Sequence, residues 1–324
     1  MEIIKELRET IDREIEKMGF NKREPAELYR PVDYILSNGG KRIRPVIALM
    51  ACRIFSDDIT DCLGPALAIE LFHNFTLLHD DIMDRADMRR GKLTVHKKWD
   101  ENTAILSGDA MVVLSFELIS SSRNDILKNL LGIFNKTAIE ICEGQQMDMN
   151  FEKTAAVDEK AYMKMIKLKT SVLIAAAMQI GALAGGAADR QGEMMYSAGL
   201  NLGLAFQLQD DLLDLYGNME DFGKKPGGDI IMNKKTILLI RALELAGPEI
   251  ESEIFSIMEQ ENDTTKKVQD MKRIFDSLGV EKDVRKRTSY HFKSAVEVLN
   301  KAGGNPERIE ELIGLIEKVA SRKS

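Results

Sequence analysis

Two apolar segments, their acidic ends about 130 residues apart, each run for several helical turns and stop in the same way. GPALAIELFHNFTLLHDDIMD closes on Asp80, Asp81 and Asp84, and SAGLNLGLAFQLQDDLLD closes on Asp210, Asp211 and Asp214. Between Ala66 and Leu78 nearly every face is apolar, which demands burial, while the helix dipole disfavours carboxylates at a C-terminal end. A chain with two such helices meets both demands by placing them in a bundle whose core carries a charged site. At about 100° per residue, Asp80 and Asp84 lie roughly 40° apart, so two carboxylates project together. Their repulsion calls for a cation. Hard, all-oxygen ligands suit Mg2+, which is held by one or two carboxylates plus substrate phosphates, so the doubled motif predicts a phosphorylated substrate.

The rest of the chain agrees with an all-α class. Apolar periodicity of helical type recurs from end to end and almost nothing alternates with period two. Helices are predicted over about 2–18, 25–37, 45–55, 60–84, 103–120, 124–151, 158–187, 190–216 and 235–246, with more after 249. Pro45 and Pro248 fall where a first helical turn accepts them. No Ser/Gly linker divides the sequence, so residues 1–324 read as one domain, with a surface helix at 1–20 and amphipathic covering helices over 249–324. The stretch Thr170–Ala188 carries no charge and nearly reaches the length of a bilayer span. Most of its residues are Ala, Gly, Ser or Gln, which suits close helix contact inside a core rather than stable membrane insertion.

Charge and cysteine content exclude several function classes. A net charge of −7 leaves no diffuse affinity for nucleic acid or anionic lipid. Three cysteines without CxxC spacing argue against a disulfide framework and a zinc site, and they suit a reducing compartment. The N-terminus has charges every few residues and no secretory pattern, so a cytoplasmic protein is expected.

Cations appear where a phosphorylated substrate would need them. Asn38-Gly39-Gly40-Lys41-Arg42-Ile43-Arg44-Pro45 places charge where a helix is about to begin, and exposed amides there favour an anion. It is not a P-loop, because the earlier glycine of that motif would fall at Ile35. Arg89-Arg90-Gly91 follows the first acidic cluster on a loop able to curl back over it, and DFGKKPGGDIIMNKK spans 221–235 as a cationic, glycine-rich flap with Lys224, Lys225, Lys234 and Lys235. Carboxylates paired with separate cation clusters point to two diphosphates, one bound through metals and one directly. Glu70 and His73 match the ExxH spacing of di-iron bundles, but such sites need two copies and only one is present.

GGKRIRP, HDDIMD, RRGKLTVH, GQQMD, LKT, FQLQDDLLD, FGKKPGGD and KKT occur in this order between about residues 35 and 240. In this respect the chain resembles the trans-isoprenyl diphosphate synthases of the polyprenyl synthetase family. The resemblance implies an all-α bundle enclosing a deep apolar cavity, and a usually homodimeric, Mg2+-dependent prenyltransferase that binds three ions with its substrates. It implies Asp80, Asp84 and Asp210 as direct Mg2+ ligands, with Asp81, Asp211 and Asp214 supporting. Arg89, Lys169, Lys224 and Lys234 would hold the allylic diphosphate, and Lys41, Arg44, His73 and Arg90 isopentenyl diphosphate. Thr170 and Gln207 would line the reacting tails. Phe75 and Thr76, five and four residues before Asp80, should point down the tail channel and set product length. One aromatic at the deeper position resembles archaeal geranylgeranyl-type enzymes, which favours a twenty-carbon product, with fifteen next. The rival readings are a class I terpene cyclase, whose second metal motif mixes Asn, Ser or Thr with Glu, a non-catalytic partner subunit, which typically lacks intact aspartate motifs, and a ferritin-like metal carrier.

Overall fold

The computed structural model describes residues 2–154, 156–217, 226–260 and 262–320, and the all-α expectation holds over them. From the N-terminus run α1 (Glu2–Lys17), α2 (Ala26–Ser37), α3 (Ile43–Arg53), α4 (Thr60–Met83), α5 (Val95–Lys98), α6 (Glu101–Ser120) and α7 (Asn124–Lys153). There follow α8 (Glu159–Ile166), α9 (Val172–Ala184), α10 (Asp189–Tyr216), α11 (Gly228–Ile231), α12 (Ile237–Leu245), α13 (Pro248–Met258), α14 (Thr264–Ser277), α15 (Val280–Leu299) and α16 (Pro306–Ala320). Starts are set by local chemistry. Asp100 and Asp158 each accept a hydrogen bond from a first-turn amide, of Thr103 and Ala161, and Pro248 opens α13.

Two local features depart from the sequence reading. A two-stranded antiparallel hairpin, β1 (Met88–Arg89) and β2 (Lys92–Leu93), occupies the basic loop after α4. Its two-residue connection, Arg90 and Gly91, has positive φ at both positions, 53° and 75°, the geometry that fits the natural strand twist. The helix expected over 158–187 is interrupted by a π-turn, Lys167–Ser171, between α8 and α9. Such insertions accompany functional positions in helices, and this one carries Lys169 and Thr170.

The chain groups into two compact units. The first comprises Met1–Asn135, Ala176–Met195 and Gly304–Arg308. In it α4 packs along α6, over a core including Leu36, Leu71, Leu78, Ala104 and Met111. The small residues of the uncharged stretch act as expected: a Cβ on Gly181 would collide with the Ala48 carbonyl, and one on Gly185 would stand 2.5 Å from that of Cys52. Backbone thus meets backbone between α9 and α3. The helices Glu101–Ser120 and Glu159–Ala184 are long and apolar enough to cross a membrane, but 78% of the second's apolar window is buried inside the protein, as in a core helix.

The second unit comprises Lys136–Ala175, Tyr196–Gly303 and Ile309–Ser324. Its core joins Tyr162 and Ile166 to Leu208 and Leu212, and to α12, α14 and α15 through Ile237, Phe275 and Val284. Glycines crowd the π-turn from two sides, for a Cβ on Gly144 would run into the Lys169 backbone and one on Gly203 into Ser171.

Candidate active site

Each unit holds one acidic helix end. In the first, α4 stops at Asp84, whose amide closes the last turn on the Asp80 carbonyl at 2.8 Å. The three carboxylates have different surroundings. Asp81 is 2% exposed and accepts from Arg89 Nε at 2.6 Å. Burial pushes its carboxyl up, against the pull of that guanidinium. Asp84 is exposed and Asp80 half-buried. The hairpin thus returns over the acidic end, and its Arg89 is engaged by the inward aspartate.

In the second unit, protein donors hold the Asp211 and Asp214 carboxylates of the DDLLD end. Asp211 is buried and accepts from Tyr162 Oη at 2.5 Å, from Gln207 Nε2 at 3.1 Å and from the Ile237 amide at 3.2 Å, so it also caps α12. Asp214 accepts from the Asp229 amide at 3.0 Å at the start of α11. Asp210 is exposed. Burial raises the Asp211 carboxyl to about 6 despite these hydrogen bonds. Sequence reasoning missed Asp229, which burial and then the charges of Asp214 and Asp211 push up to about 7, with Lys234 opposing. The signal available for it was the Gly-Gly-Asp that follows the lysine pair.

Beside this end, the π-turn presents Lys169, whose Nζ donates to Asp148 at 2.6 Å, and Thr170, whose hydroxyl donates to Gln207 Oε1 at 2.9 Å. A continuous chain of hydrogen bonds therefore links Thr170, Gln207, Asp211 and Tyr162. Lys234 is exposed, and Lys235 Nζ instead donates to the Phe151 carbonyl, anchoring the segment to α7. Lys224 and Lys225, and the flap from 221 to 225, lie outside the described residues.

The remaining predicted cations gather in the first unit. Arg44 Nη1 and His73 Nε2 are 3.0 Å apart, and Arg90 donates to the Gly39 carbonyl. Gly40 has φ at 141°, a conformation that favours glycine, and a Cβ there would stand 2.8 Å from Arg90 Nη1. Burial, followed by the positive charges of Arg44, Arg90, Arg89 and Arg42, holds His73 well below the usual imidazole range. His73 is therefore neutral at pH 7, a hydrogen-bonding member of a guanidinium cradle. Lys41 is exposed at its edge. A small cavity lined by Asn38, Asn74, Asp81, Arg89 and Arg90 lies here, and Asn38 Oδ1 and Asn74 Oδ1 are buried without hydrogen-bond partners. Glu70 binds Arg42 and Asn74, so the ExxH pair is committed to protein contacts.

Phe75 packs edge-on against Phe72 and against the His79 ring, with centroids 5.3 and 4.6 Å apart. Thr76 donates to the His73 carbonyl at 2.8 Å. His79 fills the space that Gly108 leaves on α6 and lies 3.3 Å from the Ile105 carbonyl, so it is a packed interhelical residue.

The outward carboxylates fit a hard cation by donor chemistry. Among the described residues no three His, Cys, Asp or Glu side chains cluster closely enough to hold a metal on their own. An ion with few protein ligands, completed by substrate phosphate, matches Mg2+.

Comparison with known proteins points the same way. Residues 25–277 match the model of the family described as polyprenyl synthetase. The chain is 45% identical over 222 residues to a geranylgeranyl diphosphate synthase from Methanosarcina mazei, covering 68% of each chain. It is 39% identical over 238 residues to a geranylfarnesyl diphosphate synthase from Natronomonas pharaonis, covering 68% of this chain and 70% of that one. Its fold matches the crystal structure of a geranylgeranyl pyrophosphate synthetase from Pyrococcus horikoshii with a TM-score of 0.93, 31% identity and 99% of both chains covered.

Proposed function

Since the chain belongs to the polyprenyl synthetase family, we propose that it is a short-chain trans-prenyltransferase joining isopentenyl diphosphate to an allylic diphosphate, with geranylgeranyl diphosphate as product. The observation that carries this reading is the guanidinium cradle around neutral His73, a concentration of positive charge that an anionic substrate would neutralise.

Lys41, Arg44, His73 and Arg90 hold isopentenyl diphosphate, while Arg89, Lys169, Lys224 and Lys234 hold the allylic diphosphate. Asp80, Asp84 and Asp210 are the Mg2+ ligands, a reading supported by the exposure of Asp84 and Asp210. Asp81, Asp211 and Asp214, already bonded within the protein, keep their helix ends in place. Mg2+ held by Asp80, Asp84 and Asp210, three ions in this reading, would when bound supply neutralisation of the charge on the departing diphosphate. The cations of the chain do the same from fixed positions, so the allylic carbon–oxygen bond ionises without a protein nucleophile. The double bond of isopentenyl diphosphate then attacks the allylic cation, and the released diphosphate takes up the proton that the new, longer cation loses. Thr170 and Gln207, locked to each other, line the reacting tails.

Phe75 sets the product length, with Thr76 leaving room above it. The relatives make both twenty- and twenty-five-carbon products by name, so the aromatic at 75, rather than overall similarity, supports the shorter one. The family model crosses both compact units, which supports reading 1–324 as one domain. The protein is cytoplasmic and a homodimer in this reading, the latter supported by the exposed apolar residues Ile105, Leu106 and Val113 on α6.

The test is incubation of the purified protein with Mg2+, isopentenyl diphosphate and, separately, dimethylallyl, geranyl and farnesyl diphosphate, with products read by mass spectrometry. Elongation that stops at twenty carbons and is lost with a chelator is expected. A stop at another length keeps the class and refutes the Phe75 floor, and no elongation from any primer refutes the reading.

A further inference from the structure

Arg42 stands between two proposed substrate-binding residues, Lys41 and Arg44, yet its guanidinium is turned to protein acceptors. It is 6% exposed and its guanidinium is fully committed. Nη1 donates to Glu70 Oε1 at 2.8 Å, Nη2 to the Leu36 carbonyl at 2.6 Å and Nε to Asp12 Oδ1 at 2.9 Å. Its backbone is left-handed, with φ at 47°, where a residue bearing a Cβ is strained. That conformation lies just before α3, so it determines how Lys41 and Arg44 leave the chain. Glu70 is equally constrained: 3% exposed on α4, it accepts from Asn74 Nδ2 at 3.0 Å, one turn along. His73, three residues beyond Glu70, meets Arg44. The pair therefore joins the start of α3 to α4 at the height where the cradle forms, and puts a buried negative charge behind its cations.

We propose that Arg42 and Glu70 are positioning residues for isopentenyl diphosphate: a buried ion pair that holds the left-handed turn and so aims Lys41 and Arg44 at the homoallylic substrate. This rests on the functional reading above. Buried ion pairs add little net stability compared with apolar packing, but a removed partner leaves the other charge uncompensated. Arg42 is suited to the task because its planar fork reaches three acceptors at once, which an ammonium cannot reproduce.

Steady-state kinetics of Glu70→Gln and Arg42→Lys, with each substrate varied in turn, test the proposal. The KM for isopentenyl diphosphate should rise about tenfold, equivalent to roughly 1.4 kcal/mol. The KM for the allylic substrate should stay within about twofold and kcat within about threefold. A purely structural pair would lower the melting temperature and leave both KM values alone or move them together, and either pattern in a folded variant overturns the proposal. So does an Arg42→Lys enzyme with the parent's KM, because charge alone would then suffice. If Glu70→Gln does not fold, Asp12→Asn decides, since its carboxylate sits at the solvent side of the same guanidinium. A selective rise of about two- to threefold in the same KM is expected, and an unchanged KM overturns the pair. Failure of the functional reading would appear in the parent protein as absent condensation, failure of the pair only in the variants.

Discussion

Replacing Asp229 by Asn should make the metal-free protein more stable, and the gain should depend on pH. Burial, with Asp214 and Asp211 close by, pushes the Asp229 carboxyl from the ordinary 3.8 up to about 7. In that interval the folded chain holds a proton that the unfolded chain has released, so stability falls as pH rises from about 4 to 7 and levels off above. At roughly 1.4 kcal/mol per pK unit, the charge costs the folded state up to about 4 kcal/mol at pH 8, and about half if neighbouring carboxylates relax. Asparagine keeps the shape and never carries the charge. Thermal melts followed by circular dichroism in EDTA should show a small advantage for Asp229→Asn near pH 5, widening to several degrees at pH 8 at about 2 °C per kcal/mol. Mg2+ with inorganic diphosphate should raise the parent more than the variant, closing the gap. A variant no more stable than the parent at pH 8, or a gain of equal size at both pH values, would refute the account.

Other perturbations read separate parts of the site. Asp80→Ala should cut turnover about 10³-fold or more with an unchanged melting temperature, since the carboxylate is half-buried at a helix end; near-normal turnover would sink the metal assignment. Phe75→Ala should lengthen the product beyond twenty carbons by mass spectrometry, and cost about 3 kcal/mol in denaturant unfolding because its ring packs on Phe72 and His79. Gly203→Ala should lose about 1–3 kcal/mol and lower kcat by displacing the π-turn at Ser171. Gly132→Ala, with open space around it, should be neutral or slightly stabilising, which separates crowding from helix propensity.

The sequence made the helices legible because burial and helical period coincide along α4, α9 and α10, and proline and aspartate mark several starts. It also made the two acidic ends legible, since the same acidic pattern closes two apolar helices about 130 residues apart. The hairpin escaped because its strands are two residues long, too short for alternation to register. The π-turn escaped because one extra residue in a helix has no compositional signature, and the glycines that let backbone approach it, Gly144 and Gly203, are distant in sequence. The inward duties of Asp81, Asp211 and Asp214 were hidden for a related reason. Adjacent aspartates look equivalent in a motif, and only their partners, Arg89, Tyr162 and the Asp229 amide, tell them apart. Arg42 stood in the basic segment without an assigned role, and its three acceptors place it inside.

The first helix is tied to this chemistry as well. Leu7 and Ile11 fix α1 in the first unit, and Asp12 follows at once with its carboxylate on Arg42. A shortened chain beginning after Lys17 would lose an acceptor from that guanidinium and open its solvent side. Trimming the N-terminus that far would also remove the buried Leu7 and Ile11 from the core of the first unit. If Arg42 aims the neighbouring cations as proposed, a deletion that removes Asp12 should raise one substrate's KM as well as lower stability.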